Sequence, residues 1–238
     1  MSFSEAFNRD CMDAMREFPD KFFDLAVVDP PYGDGHGGSG AFRYGGMFQA
    51  SISGAPTREK RSVERRGGKW AEKYGKKIVS WDVAPDKEYF DELFRVSRNQ
   101  IIWGGNYFML PPTRCFVVYR KTNIPEQGFS MVAVEYAWTS FDRNAEIIEA
   151  FSQSRPGEER FHPTQKPVKL YREVFNRFAR PGDKILDTHL GSGSSRIAAY
   201  DAGLDFWGYE IDPEYFAKEE KRFEEHAAQM NLFLEEGT

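Results

Sequence analysis

Only two cysteines, Cys11 and Cys115, and four histidines occur in the 238 residues. So few and so far apart, they form neither a disulfide framework nor a clustered zinc site, and no metal is expected. No stretch approaches the roughly 20 apolar residues that a bilayer crossing needs, and the opening MSFSEAFNRD mixes charges of both signs where a leader would be apolar. These absences point to a cytoplasmic chain with no membrane contact. Positive charge is in deficit too: 32 Lys and Arg against 37 Asp and Glu give a net charge of -5, at face value a poor match for a phosphate backbone. What is present is 40% hydrophobic and 16% aromatic residues, enough to build the core of one α/β domain or two small ones.

The charge deficit is an average over two unlike parts. Residues 43–77 carry ten basic side chains (Arg43, Arg58, Lys60, Arg61, Arg65, Arg66, Lys69, Lys73, Lys76 and Lys77) against Glu59, Glu64 and Glu72, a local +7 that leaves -12 for the remainder. This run lies within residues 33–80, which are too rich in glycine and polar groups for a core and read as a long insertion in a single domain.

Around the insertion the pattern is α/β. Residues 5–18 read as a helix, and residues 23–29 as a buried strand stopped by Pro30 and Pro31. A helix over 86–96 and a strand over 100–103 follow, then strands over 115–119 and 132–139, the latter alternating like an antiparallel edge. Apolar residues at helical spacing mark 168–179, and the last third reads strand, glycine turn, helix, strand, with a helix opened by Pro213.

Two places carry chemistry. In the turn Asp187-Thr188-His189-Leu190-Gly191-Ser192-Gly193-Ser194-Ser195, glycines allow close approach of a ligand to the chain and to a helix N-terminus. Glu210, seventeen residues after Gly193 at the end of the next strand, is placed to accept from ribose hydroxyls. The pattern marks a nucleoside site without choosing between a dinucleotide and another adenosine cofactor; Arg196, where G-x-G-x-x-G would have its third glycine, counts against NAD. The other place is Asp29-Pro30-Pro31-Tyr32. The prolines end the ladder and stiffen the turn, leaving the Asp29 carboxylate and the Pro30 carbonyl as acceptors beside the flat face of Tyr32. Two acceptors and an aromatic plate suit a planar base with an exocyclic amine, whose lone pair is released for attack on a methyl group when both hydrogens are engaged.

With these residues in view, the chain resembles the amino-group DNA methyltransferases that use S-adenosylmethionine, in their circularly permuted order. Three patches carry the resemblance: Asp10-Cys11 through Asp29-Pro30-Pro31-Tyr32, Phe161-His162-Pro163-Thr164-Gln165-Lys166-Pro167, which looks like the family's H-P-T-Q-K-P, and the Asp187 to Ser195 turn. The resemblance implies a Rossmann-like, mostly parallel sheet with an antiparallel edge strand. It also implies S-adenosylmethionine as cofactor and double-stranded DNA as partner. Asp10 would accept from the cofactor's adenine, Cys11 would meet its ring, and Glu210 would hold its ribose. The Gly191-Ser192-Gly193 turn, with Asp187, Ser194 and Ser195, would pass beneath the methionine, and Thr164, Gln165 and Lys166 would close over its carboxylate. Asp29, which also borders the cofactor, would join Pro30, Pro31 and Tyr32 in the pocket for a flipped base, and the basic run from Arg58 to Lys77 would meet phosphates. Thr188 and His189 depart from the family's Pro and Phe, and His189 is expected to be a core residue with a backbone partner. Asp at the first position of Asp29-Pro30-Pro31-Tyr32 resembles the adenine-N6 members; a cytosine-N4 enzyme and a non-catalytic DNA-binding module remain the alternatives. So small a chain leaves room for a homodimer or a short target.

Overall fold

The computed structural model describes residues 2–32, 83–125, 132–152 and 160–236, with side chains as far as residue 229. It divides into two compact units, Met1–Asp29 with Glu88–Thr238, and Pro30–Lys87. The basic residues Arg58 to Lys77 lie outside the described residues.

The larger unit is built on eight strands: β1 (Ser4–Asn8), β2 (Phe23–Val28), β3 (Ser97–Trp103), β4 (Phe116–Lys121), β5 (Val134–Thr139), β6 (Glu146–Ala150), β7 (Lys184–Asp187) and β8 (Asp205–Glu210), in the order β1-β8-β7-β2-β3-β5-β4-β6. All neighbouring pairs are parallel except those made by β5, which runs against both β3 and β4. The sheet is therefore mostly parallel, as expected. Its reversed strand is not at the edge, however, because β4 and β6 cover the side of β5 away from β3. Strand β6, whose buried positions are limited to Ile148 and Ala150, forms the edge instead.

Among the described residues five α-helices flank the sheet: α1 (Cys11–Met15), α2 (Lys87–Val96), α3 (Val168–Phe178), α4 (Ser194–Asp201) and α5 (Pro213–Glu236). Successive residues of β2 and β3 point to opposite faces. Leu25, Val27, Ile101 and Trp103 pack with Leu170, Val174, Phe175 and Ala198 of α3 and α4. Ala26, Val28 and Ile102 pack with Ala14 and Met15 of α1 and with Tyr89, Phe90 and Leu93 of α2. With both faces covered, the strands read as continuous apolar runs.

The helix expected over residues 5–18 is a strand followed by one short helix. Ser4–Asn8 pairs in register with Phe206–Glu210, so long-range ladder bonds override the local pattern. Asp10 then caps α1, its Oδ1 accepting from the Met12 N–H at 2.7 Å. The helix ends before Pro19, which disfavours helical geometry in the residue ahead of it. Among the described residues, no helix is long and apolar enough to cross a membrane.

Candidate functional site

Asp187 and Glu210 end β7 and β8, and Asp29 directly follows β2. Because β2, β7 and β8 are parallel neighbours, all three carboxylates stand at one rim, where open α/β sheets bind ligands.

The glycine turn is shaped by its own side chains. Gly191 and Gly193 have φ of 56° and 71°, a region costly for residues with a Cβ. A Cβ on Gly191 would come within 3.3 Å of the His162 ring. The Gly191 N–H donates to Glu210 Oε2 and the Asp212 N–H to Oε1, each at 2.9 Å, so the expected ribose-binding carboxylate also fixes the turn. Burial raises the Glu210 pKa, and these backbone donors offset part of that rise. Ser195 Oγ donates to Asp187 Oδ2 at 2.5 Å and the His189 N–H to Oδ1 at 3.1 Å. Burial nevertheless pushes Asp187 up to about 7, and the charges of Asp29 and Glu210 push in the same direction. Arg222 holds the turn from outside, donating to the Ser192 carbonyl at 2.5 Å and to Ser194 Oγ at 3.0 Å.

The two residues that depart from the family pattern form a polar wall. Thr188 Oγ1 lies 2.7 Å from Tyr89 Oη and 2.9 Å from His189 Nδ1, and the His189 ring meets Tyr89 edge-on at 5.5 Å. Burial lowers the His189 pKa to about 4, so its ring is neutral at physiological pH. His189 is half-buried and lies outside the two core clusters, and its partner is the Thr188 hydroxyl where a core position with a backbone partner was expected. Burial, with a smaller push from Asp10, raises the Cys11 thiol to about 12, which leaves it inert as a nucleophile.

The His162 to Lys166 segment meets this rim. His162, held neutral with a pKa of about 3 by burial and by nearby Arg160 and Lys166, packs against Tyr215 at 4.5 Å; its Nδ1 lies 3.2 Å from Thr164 Oγ1. Gln165 Oε1 is buried and has no hydrogen-bond partner among the described residues. Lys166 forms an ion pair with Asp29 Oδ2, and its ammonium is 3.3 Å from Glu135 Oε2. Glu135 in turn pairs with Lys121 at 2.5 Å. Burial opposes charge on both Glu135 and Lys166, yet their partners outweigh it. Glu135 is held at about 2 by Lys166 and Lys121, and Lys166 is raised by Asp29 and Glu135.

The arrangement fits an adenosyl sulfonium. Asp29 and Glu210 both oppose ionisation of Asp187, a cation beside Asp187 and Glu210 would relieve that opposition, and Gln165 Oε1 offers a buried acceptor. Glu135, Lys121, Tyr89 and Arg222 are absent from the motif reading. Each reaches the site from a distant element, and nothing local marks it. A groove of about 530 Å³ opens at the opposite rim, lined by Lys21, Arg98, Pro111, Arg114 and Asp142 among others. Its arginines are already paired, Arg98 with Asp24 and Arg114 with Asp142. Among the described residues no group of His, Cys, Asp and Glu could hold a metal.

The family described as DNA methylase (N6_N4_Mtase) matches residues 54–221, more than two thirds of the chain. The chain belongs to this N6/N4 DNA methylase family. The match includes His162 to Lys166 and the Asp187 to Ser195 turn, and begins after Asp29-Pro30-Pro31-Tyr32. A curated relative, the DNA adenine methyltransferase YhdJ of Escherichia coli K12, is 30% identical over 102 residues, 43% of this chain. That alignment spans 31% of the relative's length. M1.HpyAVI, solved as a complex with SAM, is 16% identical with a TM-score of 0.51, covering 92% of this chain and 98% of its own. The PvuII DNA methyltransferase, described as cytosine-N4-specific, is 15% identical with a TM-score of 0.53, covering 93% and 87%. At such identities the structural likeness shows the shared fold, a Rossmann-like methyltransferase sheet.

Proposed function

We propose that this methylase family member transfers a methyl group from S-adenosylmethionine to the exocyclic amine of a base flipped out of double-stranded DNA, and that the base is adenine, modified at N6. The observation that carries the reading is the placement of Asp29 directly after the strand adjacent to β7, whose glycine turn is locked to Glu210. The carboxylate for the methyl acceptor and the turn for the methyl donor thereby share one rim.

S-adenosylmethionine, when bound, supplies a methyl group on a positively charged sulfur. Glu210 would hold its ribose, with Asp10 and Cys11 at the adenine, and the turn from Asp187 through Gly191, Ser192, Gly193, Ser194 and Ser195 would bend beneath the methionine. Thr164 and Gln165 would cover the opposite side. Asp29 and the Pro30 carbonyl would accept the two amine hydrogens and Tyr32 would stack on the base. That posture would turn the nitrogen lone pair toward the methyl carbon; as the C–N bond formed and the methyl–sulfur bond broke, S-adenosylhomocysteine would leave and the surplus amine proton would depart along the hydrogen bond to Asp29. The aspartate of Asp29-Pro30-Pro31-Tyr32 supports adenine over cytosine, and the +7 run at residues 43–77 supports a phosphate backbone as partner.

The test is mass spectrometry of nucleosides from plasmid DNA propagated with the protein. N6-methyladenine is the expected product. N4-methylcytosine in its place would reassign the base, and the absence of both would favour a DNA-binding module without transfer.

A further inference from the structure

Glu135 lies outside every motif that the sequence offers, yet it stands one ion pair away from Asp29. Asp29, Lys166, Glu135 and Lys121 form a row of alternating sign, and the two lysine side chains are only 6% and 10% exposed. The row follows the sheet. Asp29 succeeds β2, Trp103 ends β3 and lies 5.3 Å beneath the Lys166 ammonium, Glu135 is the second residue of β5, and Lys121 ends β4. Only because β5 is reversed does its second residue reach the rim where its neighbours end. On β5, Glu135 shares a face with fully buried Ala137 and Thr139, and it pairs in register with Tyr119 of the core. An ionised carboxylate at such a position is costly unless it is compensated. Here the compensation is Lys166 on one side and Lys121 on the other.

We propose that Glu135 and Lys121 are positioning residues that hold Lys166 on the Asp29 carboxylate, so that Lys166 serves the base-accepting side of the site and not the methionine carboxylate of the cofactor. This rests on the reading of Asp29 as the group that receives the base amine. A lysine ammonium on a flexible stem has three donors and several directions available. The Trp103 ring beneath it and Glu135 beside it leave the direction of Asp29. Lys121 balances the row. Without it, Glu135 still pairs with Lys166, whereas without Glu135 two buried ammonium groups face each other and Lys166 is driven out of place.

The experiment measures kcat, KM for DNA and calorimetric S-adenosylmethionine affinity for the full chain and its variants. Glu135→Gln is expected to lower kcat on the order of 10²-fold, the scale of a misplaced catalytic group, with cofactor affinity within about threefold of the parent. Glu135→Asp recovers part of that loss, Lys121→Met loses less than Glu135→Gln, and Lys166→Met lowers kcat while leaving cofactor affinity in place. The proposal is overturned if Glu135→Gln folds and keeps kcat within about threefold, or if Lys166→Met loses cofactor affinity in step with rate. Should Glu135→Gln fail to fold, the charge-balanced pair Lys121→Met with Glu135→Gln removes the second ammonium but also the carboxylate that directs Lys166, so a smaller loss of about 10-fold in kcat is expected, and a kcat near the parent's overturns the proposal. A parent protein that methylates no DNA sinks the reading of the site and this inference with it; an active parent with an unimpaired Glu135→Gln sinks this inference alone.

Discussion

Gly193 and Glu219 are packed so closely that a Cβ on the glycine would overlap Glu219 Cγ. Glu219 cannot swing aside, since it is fully buried and both its oxygens lie 3.1 Å from the Arg196 guanidinium. Arg196 occupies the position where a dinucleotide-binding turn would carry its third glycine, so the residue that breaks that pattern anchors the helix behind the turn.

Gly193→Ala should therefore both strain a backbone at φ 71° and push against a fixed side chain. A loss of about 1–3 kcal/mol in stability is expected, with weakened S-adenosylmethionine binding. Chemical denaturation and calorimetry check the two effects separately.

Asp29 and Glu210 should fail differently when truncated. Glu210→Ala removes the acceptor for the Gly191 and Asp212 N–H groups as well as for a ribose. A loss of charge-assisted bonds on this scale is worth about 10- to 100-fold in cofactor affinity. Asp29→Ala should abolish transfer while leaving that affinity nearly intact. Binding and single-turnover measurements on both variants decide it, and equal losses of affinity would refute the division of labour.

Asp187 makes stability depend on pH. Its folded pKa of about 7 is raised above the ordinary 3.8, so between those values the folded chain keeps a proton that the unfolded chain has released. The contribution is thus fully present below about pH 4 and is lost as pH rises through 7, on the order of 2–4 kcal/mol. His162 and His189, lowered in the folded chain, act in the opposite sense below pH 6.5, so the check is the difference between denaturation midpoints of Asp187→Asn and the parent without ligand, which should move in favour of the variant as pH rises from 4 to 7.

Charge reversal at several of Arg58, Lys60, Arg61, Arg65, Arg66, Lys69, Lys73, Lys76 and Lys77 should weaken DNA binding. Its salt dependence should become shallower by about one unit of slope for each phosphate that is no longer neutralised. Titrations at several salt concentrations provide the check. A slope equal to the parent's would place the DNA-binding surface elsewhere.

The parts legible in the sequence were those whose signal is local. The strand into Asp29, the helix over 168–178 and the closing strand, turn, helix, strand unit lie where periodicity and turn residues place them. What escaped was decided at long range. Ser4–Asn8 becomes a strand because Phe206–Glu210 offers it a ladder some two hundred residues away. β5 alternates like an edge strand, but both of its sides are taken, and the Glu that alternation assigns to solvent faces the core with two lysines. The direction of Lys166 was hidden for the same reason: its stretch of sequence names the residue, while its partners sit on β2 and β5.

The run of neighbours β8-β7-β2 sets a ruler. Hydrogen-bonded strands keep a spacing of about 4.8 Å, so the ends that carry Glu210 and Asp29 are two such intervals apart whatever the loops above them contain. Loop residues can then be exchanged while the gap between these two carboxylates is kept by main-chain bonds that no side-chain substitution touches directly.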